Sequence, residues 1–405
     1  MVNSSELSGA MRSENNSSDS FLNQLGPLLI LTSIFFLNFV SRIILAPLTP
    51  NIEIDLNLSH ADAGSLFFLI SFGYFISLTG SGFISSRINH KRTILFSNTA
   101  LGFALIGIAF CAGTRTIRLG LFIVGITAGL YLPSGIAMLT SSISSRSWGK
   151  AIAIHELAPN LSFIAAPLIS EAVMVWFSWR AVFLLFGCAA LIMSPVFFYY
   201  SRGGEFRGEA PSFVSFRKVF SNVSFWVMML LFSLGIISGL GIYTMLPLYL
   251  VTEHSIDRNV ANTLIALSRI SCVIMAFVGG WATDRFGSRQ TLKIVLLLTG
   301  LLTVLLSVAS SSYISYIVFF QPLIAVCFFP AGFAALSLIV PVELRNIAIS
   351  FTVPLAFLIG GGLAPVFIGI IGDISSFAIA IAICGGLITA GTFFTGILKF
   401  HSQEI

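Results

Sequence analysis

The stretch Gly280-Trp281-Ala282-Thr283-Asp284-Arg285-Phe286-Gly287-Ser288-Arg289 lies between two long apolar runs and reads as a short basic turn. A turn of the same design, Gly82-Phe83-Ile84-Ser85-Ser86-Arg87-Ile88-Asn89-His90-Lys91-Arg92, begins 198 residues earlier. It keeps the glycine and the basic tail, with Ser86 in place of Asp284 and Asn89 in place of Gly287. Other pairs share the spacing. Pro133 and Pro330, like Gly135 and Gly332, are 197 apart, and Pro167 and Pro365 are 198 apart in Ala-Pro steps. Pro47 and Pro247 are 200 apart. One such match is within chance; five at a near-constant offset indicate duplication.

The duplicated unit is built for lipid. Hydrophobic residues make up 56% of the 405 and charged residues 9%, against roughly a quarter charged in a soluble domain. A spanning helix needs about 20 mostly apolar residues. That length picks out twelve spans, near 26–50, 61–85, 92–113, 118–143, 148–177, 180–200, 223–250, 259–284, 291–310, 314–340, 346–372 and 375–399. The expected fold is an all-α membrane protein of twelve transmembrane helices in two pseudo-symmetric six-helix bundles, 26–200 and 223–399. Residues 1–25 and 400–405 are read as cytoplasmic tails, the first disordered, and 201–222 as a cytoplasmic connector. The first tail lacks a basic region leading to a cleavable apolar core, so the first span is expected to stay in the mature chain.

An even number of spans puts both termini on one side. That side would hold fifteen of the 21 Lys and Arg residues and the other side four, which predicts cytoplasmic termini in an inner or plasma membrane. The net charge of +5 reflects this loop bias and does not call for a nucleic-acid partner. Trp148, Trp176, Trp179, Trp226 and Trp281 fall near span ends, where an amphipathic ring is stable. The five cysteines stand singly, without Cys-x-x-Cys or Cys/His clusters, so neither metal nor cofactor is expected.

The two remaining basic residues, Arg42 and Arg269, lie deep inside the first and eighth spans. A guanidinium at that depth is expensive and stays charged, so it is expected to face a wet cavity or a partner. The repeat puts Ile242 and Ser71 near the corresponding positions, so the architecture itself does not demand arginine there. The alternative is a structural arginine paired with backbone carbonyls or with Glu156. Asn38, Tyr131, Tyr243 and Gln321 are further candidate ligand contacts. His155-Glu156 begins like a zinc-protease helix, but Pro159 occupies the second histidine position, and the pair is read instead as a proton-coupling site.

With these motifs the chain resembles the major facilitator superfamily. The Gly280–Arg289 turn fits that family's G-x-x-x-D-R-x-G-x-R loop between helices 8 and 9, and Trp179-Arg180-Ala181-Val182-Phe183 fits its W-R-x-x-F at the start of helix 6. The resemblance covers 26–399. It places Asn38, Tyr131, Tyr243 and Gln321 in helices that line the family's cavity. It also implies a gating role for Gly280, Asp284, Arg285, Gly287 and Arg289. Asp284 is expected to latch onto the first turn of helix 5, with no charged equivalent at Ser86. Some family patterns are missing: Gly125 stands where drug/proton antiporters often carry arginine, and the acid-glycine signature of monocarboxylate carriers is absent.

The resulting expectation is a monomeric secondary active transporter, not an enzyme. It would move a small, carboxylate-like organic anion with protons or another coupling ion. A drug or metabolite efflux antiporter is the alternative, and a membrane sensor or enzyme is further off.

Overall fold

A computed structural model describes residues 21–144, 147–201, 203–208, 219–341 and 344–400, so parts of both tails and of the connector lie outside the described residues. Among these residues every regular element is helical. Twelve helices are long and apolar enough to cross a membrane. In chain order they are α1 (Gln24–Leu56), α2 (His60–Ile88), α3 (His90–Ala109), α4 (Thr114–Ser142), α5 (Trp148–Met174), α6 (Trp179–Tyr200), α7 (Val223–Thr252), α8 (Arg258–Phe286), α9 (Ser288–Val308), α10 (Ile314–Leu338), α11 (Ala348–Ile374) and α12 (Phe377–Ile397). They form two bundles, α1–α6 and α7–α12.

The duplication is visible in how the helices break. Pro133 offers no N–H to the Gly129 carbonyl, and α4 is interrupted at Leu130; its counterpart Pro330 leaves α10 interrupted at Val326–Cys327. The paired turns also match in backbone. Gly287 has φ 81° and Asn89 has φ 72°. A positive φ strains any residue but glycine, and at Asn89 the side chain offsets that by accepting from the Arg92 N–H, capping α3. The substitution therefore keeps the turn.

Two other helices widen into π turns, Ile237–Gly241 in α7 and Leu358–Leu363 in α11. Both are glycine-rich, and they pack against each other at Gly241 and Gly360. A π turn leaves carbonyls without helical partners, often at functional sites.

The bundles meet mainly at the end remote from the chain termini, where α2 packs on α11, α5 on α8, and α1 on α7. A Cβ on Gly64 would collide with the Pro365 carbonyl, and one on Gly369 with the His60 carbonyl, so backbones approach closely along the α2–α11 seam. Toward the termini, the first turns of α5 and the last turns of α8 pack within their own bundles. The molecule is closed at its far end and open at its termini end. Trp179 is buried there, donating to Asp55, so this ring ties α6 to α1 rather than sitting in an interfacial belt.

Candidate functional site

Arg42 lies in the last turn before α1 bends at Ile44, and Arg269 in the last turn before α8 is interrupted at Ser271. The carbonyl end of a helical segment favours a cation. Because α1 runs on to Leu56, Arg42 lies about 21 Å from the far end rather than the ~12 Å implied by the shorter predicted span. Arg269 lies about 17 Å from the start of α8, so the two depths agree within a turn.

Neither guanidinium meets a carboxylate among the described residues. The Arg42 guanidinium carbon lies over the Phe39 ring at 4.6 Å and the Tyr74 ring at 4.2 Å, with the Phe357 ring of the other bundle at 5.5 Å. Arg269 lies 4.7 Å from Phe163 of the other bundle and 5.0 Å from Tyr243, and donates to the Gly239 carbonyl at 3.0 Å. That carbonyl belongs to the α7 π turn. Both Nε atoms are buried without a hydrogen-bond partner. Phe39 and Phe163 stack edge to face at 5.3 Å, so an aromatic bridge joins the two cations.

A cavity opens beside Arg42, walled by α1, α2, α7 and α11, with about 370 Å³ of empty space, part of it open to solvent. Its polar lining is Arg42, Tyr74, Ser71 and Thr244. Thr244 donates to the Gly241 carbonyl.

The other candidates sit outside these walls. Asn38 is buried and donates to the Ala128 carbonyl, tying α1 to α4. Gln321 donates to the Ser238 carbonyl of the π turn and to Thr303, inside the second bundle. Tyr243 presents its ring to Arg269 and Phe163 and keeps a buried hydroxyl without a partner.

Tyr131, His155 and Glu156 form a separate group where α5 is interrupted before Pro159. The Leu31 carbonyl can only accept, so it takes the Tyr131 hydroxyl proton at 2.8 Å, and His155 Nε2 must donate to Tyr131 at 2.9 Å. A neutral ring then turns a bare Nδ1 toward Glu156, 3.5 Å away and not hydrogen-bonded to it. His155 is fully buried, whereas the Glu156 side chain is 51% exposed.

Asp284 and Arg285 are exposed at the termini end of α8, and Gly280 meets nothing within reach of a Cβ. Gly287 makes the turn into α9, and Arg289 caps the Leu398 carbonyl beside the Phe400 ring. The space beside Gly125 is filled by the Ile70 backbone of α2, which leaves no room for the arginine of the antiporters.

A polar cluster at the far end was not singled out in the sequence. Arg258 donates to Asn51 at 2.6 Å and to Glu171 at 3.1 Å, and Asn262 donates to Glu171 at 2.6 Å and to the Pro47 carbonyl at 3.1 Å. Nearby, the Asp373 carboxylate accepts from the His60 and Ala61 N–H groups at 2.9 Å each. These contacts all cross from one bundle to the other.

Comparison with known proteins agrees with this architecture. A probable L-galactonate transporter of Escherichia coli is 24% identical over 392 residues, covering 88% of this chain and 84% of that protein. An uncharacterized transporter of Bacillus subtilis is 23% identical, and the match spans 64% of each chain, slightly under two thirds of the relative's length. The solved structure of a D-xylose-proton symporter shares the fold with a TM-score of 0.77 at 14% identity, over 92% of this chain and 97% of that one. The family model of the Major Facilitator Superfamily matches residues 31–268 and 241–402. The twelve helices, the duplicated turn and this match together make the chain a member of that transporter family.

Proposed function

We propose that the protein is a secondary active transporter that carries a small organic anion of carboxylate type together with protons, by alternating access. The single observation behind the cargo's sign is the pair of carboxylate-free guanidiniums, Arg42 and Arg269, contributed by opposite bundles and joined through Phe39 and Phe163. A carboxylate supplies the in-plane, charge-assisted hydrogen bonds that a buried guanidinium edge lacks. Bound at Arg42 and displacing the Phe39–Phe163 contact, it would reach Arg269 and draw the bundles together. The galactonate named for one relative is itself a carboxylate.

The Lys/Arg bias orients the protein with both termini in the cytoplasm of an inner or plasma membrane, so the described conformation is open inward. His155 and Glu156 are the proton-coupling pair in this reading, supported by the 3.5 Å approach of a buried imidazole nitrogen to a carboxylate that solvent reaches. The efflux reading fares worse: two permanent positive charges repel the lipophilic cations that such exporters carry. The test is binding to purified protein of carboxylates, inorganic phosphate and tetraphenylphosphonium, repeated with Arg42→Ala and Arg269→Ala. Anion binding that either change abolishes is expected; binding of the cation alone overturns the proposal.

A further inference from the structure

The walls of the Arg42 cavity say more about the cargo than its sign. The Arg42 guanidinium carbon lies over the Phe39 and Tyr74 rings, and its buried Nε has no hydrogen-bond partner, so a ligand gains most by accepting from the guanidinium edge. That geometry suits one planar carboxylate. Beyond the charge the walls are hydrocarbon: Ile43, Phe67, Ile70, Leu240 and Phe357. The neutral polar groups are few. The hydroxyls of the lining are those of Ser71, Tyr74 and Thr244, and Thr244 already donates to the Gly241 carbonyl. Asn38 donates to the Ala128 carbonyl and Gln321 to the Ser238 carbonyl and Thr303, and neither amide belongs to the cavity wall. A polyhydroxylated acid entering this space would bury several hydroxyls with no partners, which a binding site disfavours strongly.

We infer that the cargo is a monocarboxylate with an apolar body, aromatic or branched aliphatic, rather than a hydroxyl-rich sugar acid. This rests on the anion reading above and narrows it away from the galactonate of the relative. The cavity binds the body through its rings and branched chains, and Arg42 holds the one charge.

The experiment uses the full chain, purified, and measures affinities for phenylacetate, galactonate, 2-phenylethanol and tetraphenylphosphonium, with unliganded thermal stability as the folding control. Phenylacetate is expected to bind at least about tenfold more tightly than galactonate, since apolar contacts in such a pocket are worth roughly 10–200-fold. 2-Phenylethanol, which keeps the ring and lacks the charge, is expected not to bind. Leu240→Asn is expected to narrow the preference, and Arg42→Gln to remove phenylacetate binding. Tighter galactonate binding that still needs Arg42 would overturn the apolar-body inference and leave the anion reading standing. Tetraphenylphosphonium or 2-phenylethanol binding that survives Arg42→Gln would overturn both. Binding of none of the four would also overturn the inference.

Discussion

Arg258, the first residue of α8, reaches across the far-end seam to Glu171, near the end of α5, at 3.1 Å. The pair is the centre of the polar cluster that holds the two bundles together where they touch. Glu171 is 14% exposed and also takes the Asn262 amide. Its replacement by Gln therefore removes the charge and leaves at most one acceptor oxygen for the two donors.

Glu171→Gln is accordingly expected to loosen the closed far end. A wholly buried pair loses about 3–5 kcal/mol when broken. Arg258 is 29% exposed, so solvent screening reduces the expected loss to about 1–2 kcal/mol. That corresponds to roughly five- to thirtyfold more outward-open molecules. Spin labels placed across the far end would report the distance change. An unaltered distance distribution would mean that this pair does not hold the gate.

Asp373 acts differently, as a helix cap supplied from the other bundle. Its carboxylate accepts from the His60 and Ala61 N–H groups at the start of α2. Removing a cap typically costs about 1 kcal/mol. Asp373→Ala should therefore open the far end about fivefold, while Asp373→Asn keeps part of the cap. Equal behaviour of the two variants would speak against capping as the cause.

The seam itself depends on two glycines. Gly64 and Gly369 each lie against the backbone of the opposite bundle, so a single methyl must push α2 from α11. Gly369→Ala is expected to block far-end closure more severely than any of the polar changes, because a backbone collision has no alternative rotamer to relieve it. Wild-type transport by Gly369→Ala would show that the seam yields.

How much of this was legible in the sequence follows from the kind of signal each feature leaves. Span length is a local signal, and the loop-charge bias and the constant spacing of repeated prolines are visible along the chain without knowing any contact, so twelve helices and two halves are legible directly. The π turns fall on the glycine-rich steps 238–241 and 360–362, a composition that suits close packing as well as a widened turn. Asn38, Tyr131 and Gln321 looked like ligand contacts because polar groups in lipid are rare. Sequence does not reveal where an amide points, and all three meet carbonyls that helix breaks or packing leave available. Arg258 and Glu171 leave no comparable signal. Charges near helix ends are ordinary, and only the folded chain brings these two together across 87 residues.

The proton assignment makes a separable prediction. With Glu156→Gln, the residue facing His155 Nδ1 no longer titrates, so substrate movement should lose its dependence on a pH gradient. Exchange of substrate for substrate needs no net proton movement and should continue. If pH dependence survives in Glu156→Gln, the coupling group lies elsewhere.

Asp284 supplies the converse test. It is exposed at the termini end of α8, and the first turn of α5 begins at Ser147 with no side-chain cap. Those N–H groups carry the positive end of the helix and would favour a carboxylate brought to them when the termini end closes. Asp284→Asn removes that stabilisation from the outward-open state alone, because the described conformation already leaves Asp284 free of partners among the described residues. A capping carboxylate at a helix start is worth about 0.3–1 kcal/mol, so the variant should favour the inward-open form about two- to fivefold. This is opposite in sign to Glu171→Gln. The two positions are at opposite ends of the molecule and share no partner, so their effects should add. Asp284→Asn combined with Glu171→Gln should therefore lie between the single variants, partly restoring the original balance. A double variant as outward-open as Glu171→Gln alone would show that Asp284 latches nothing.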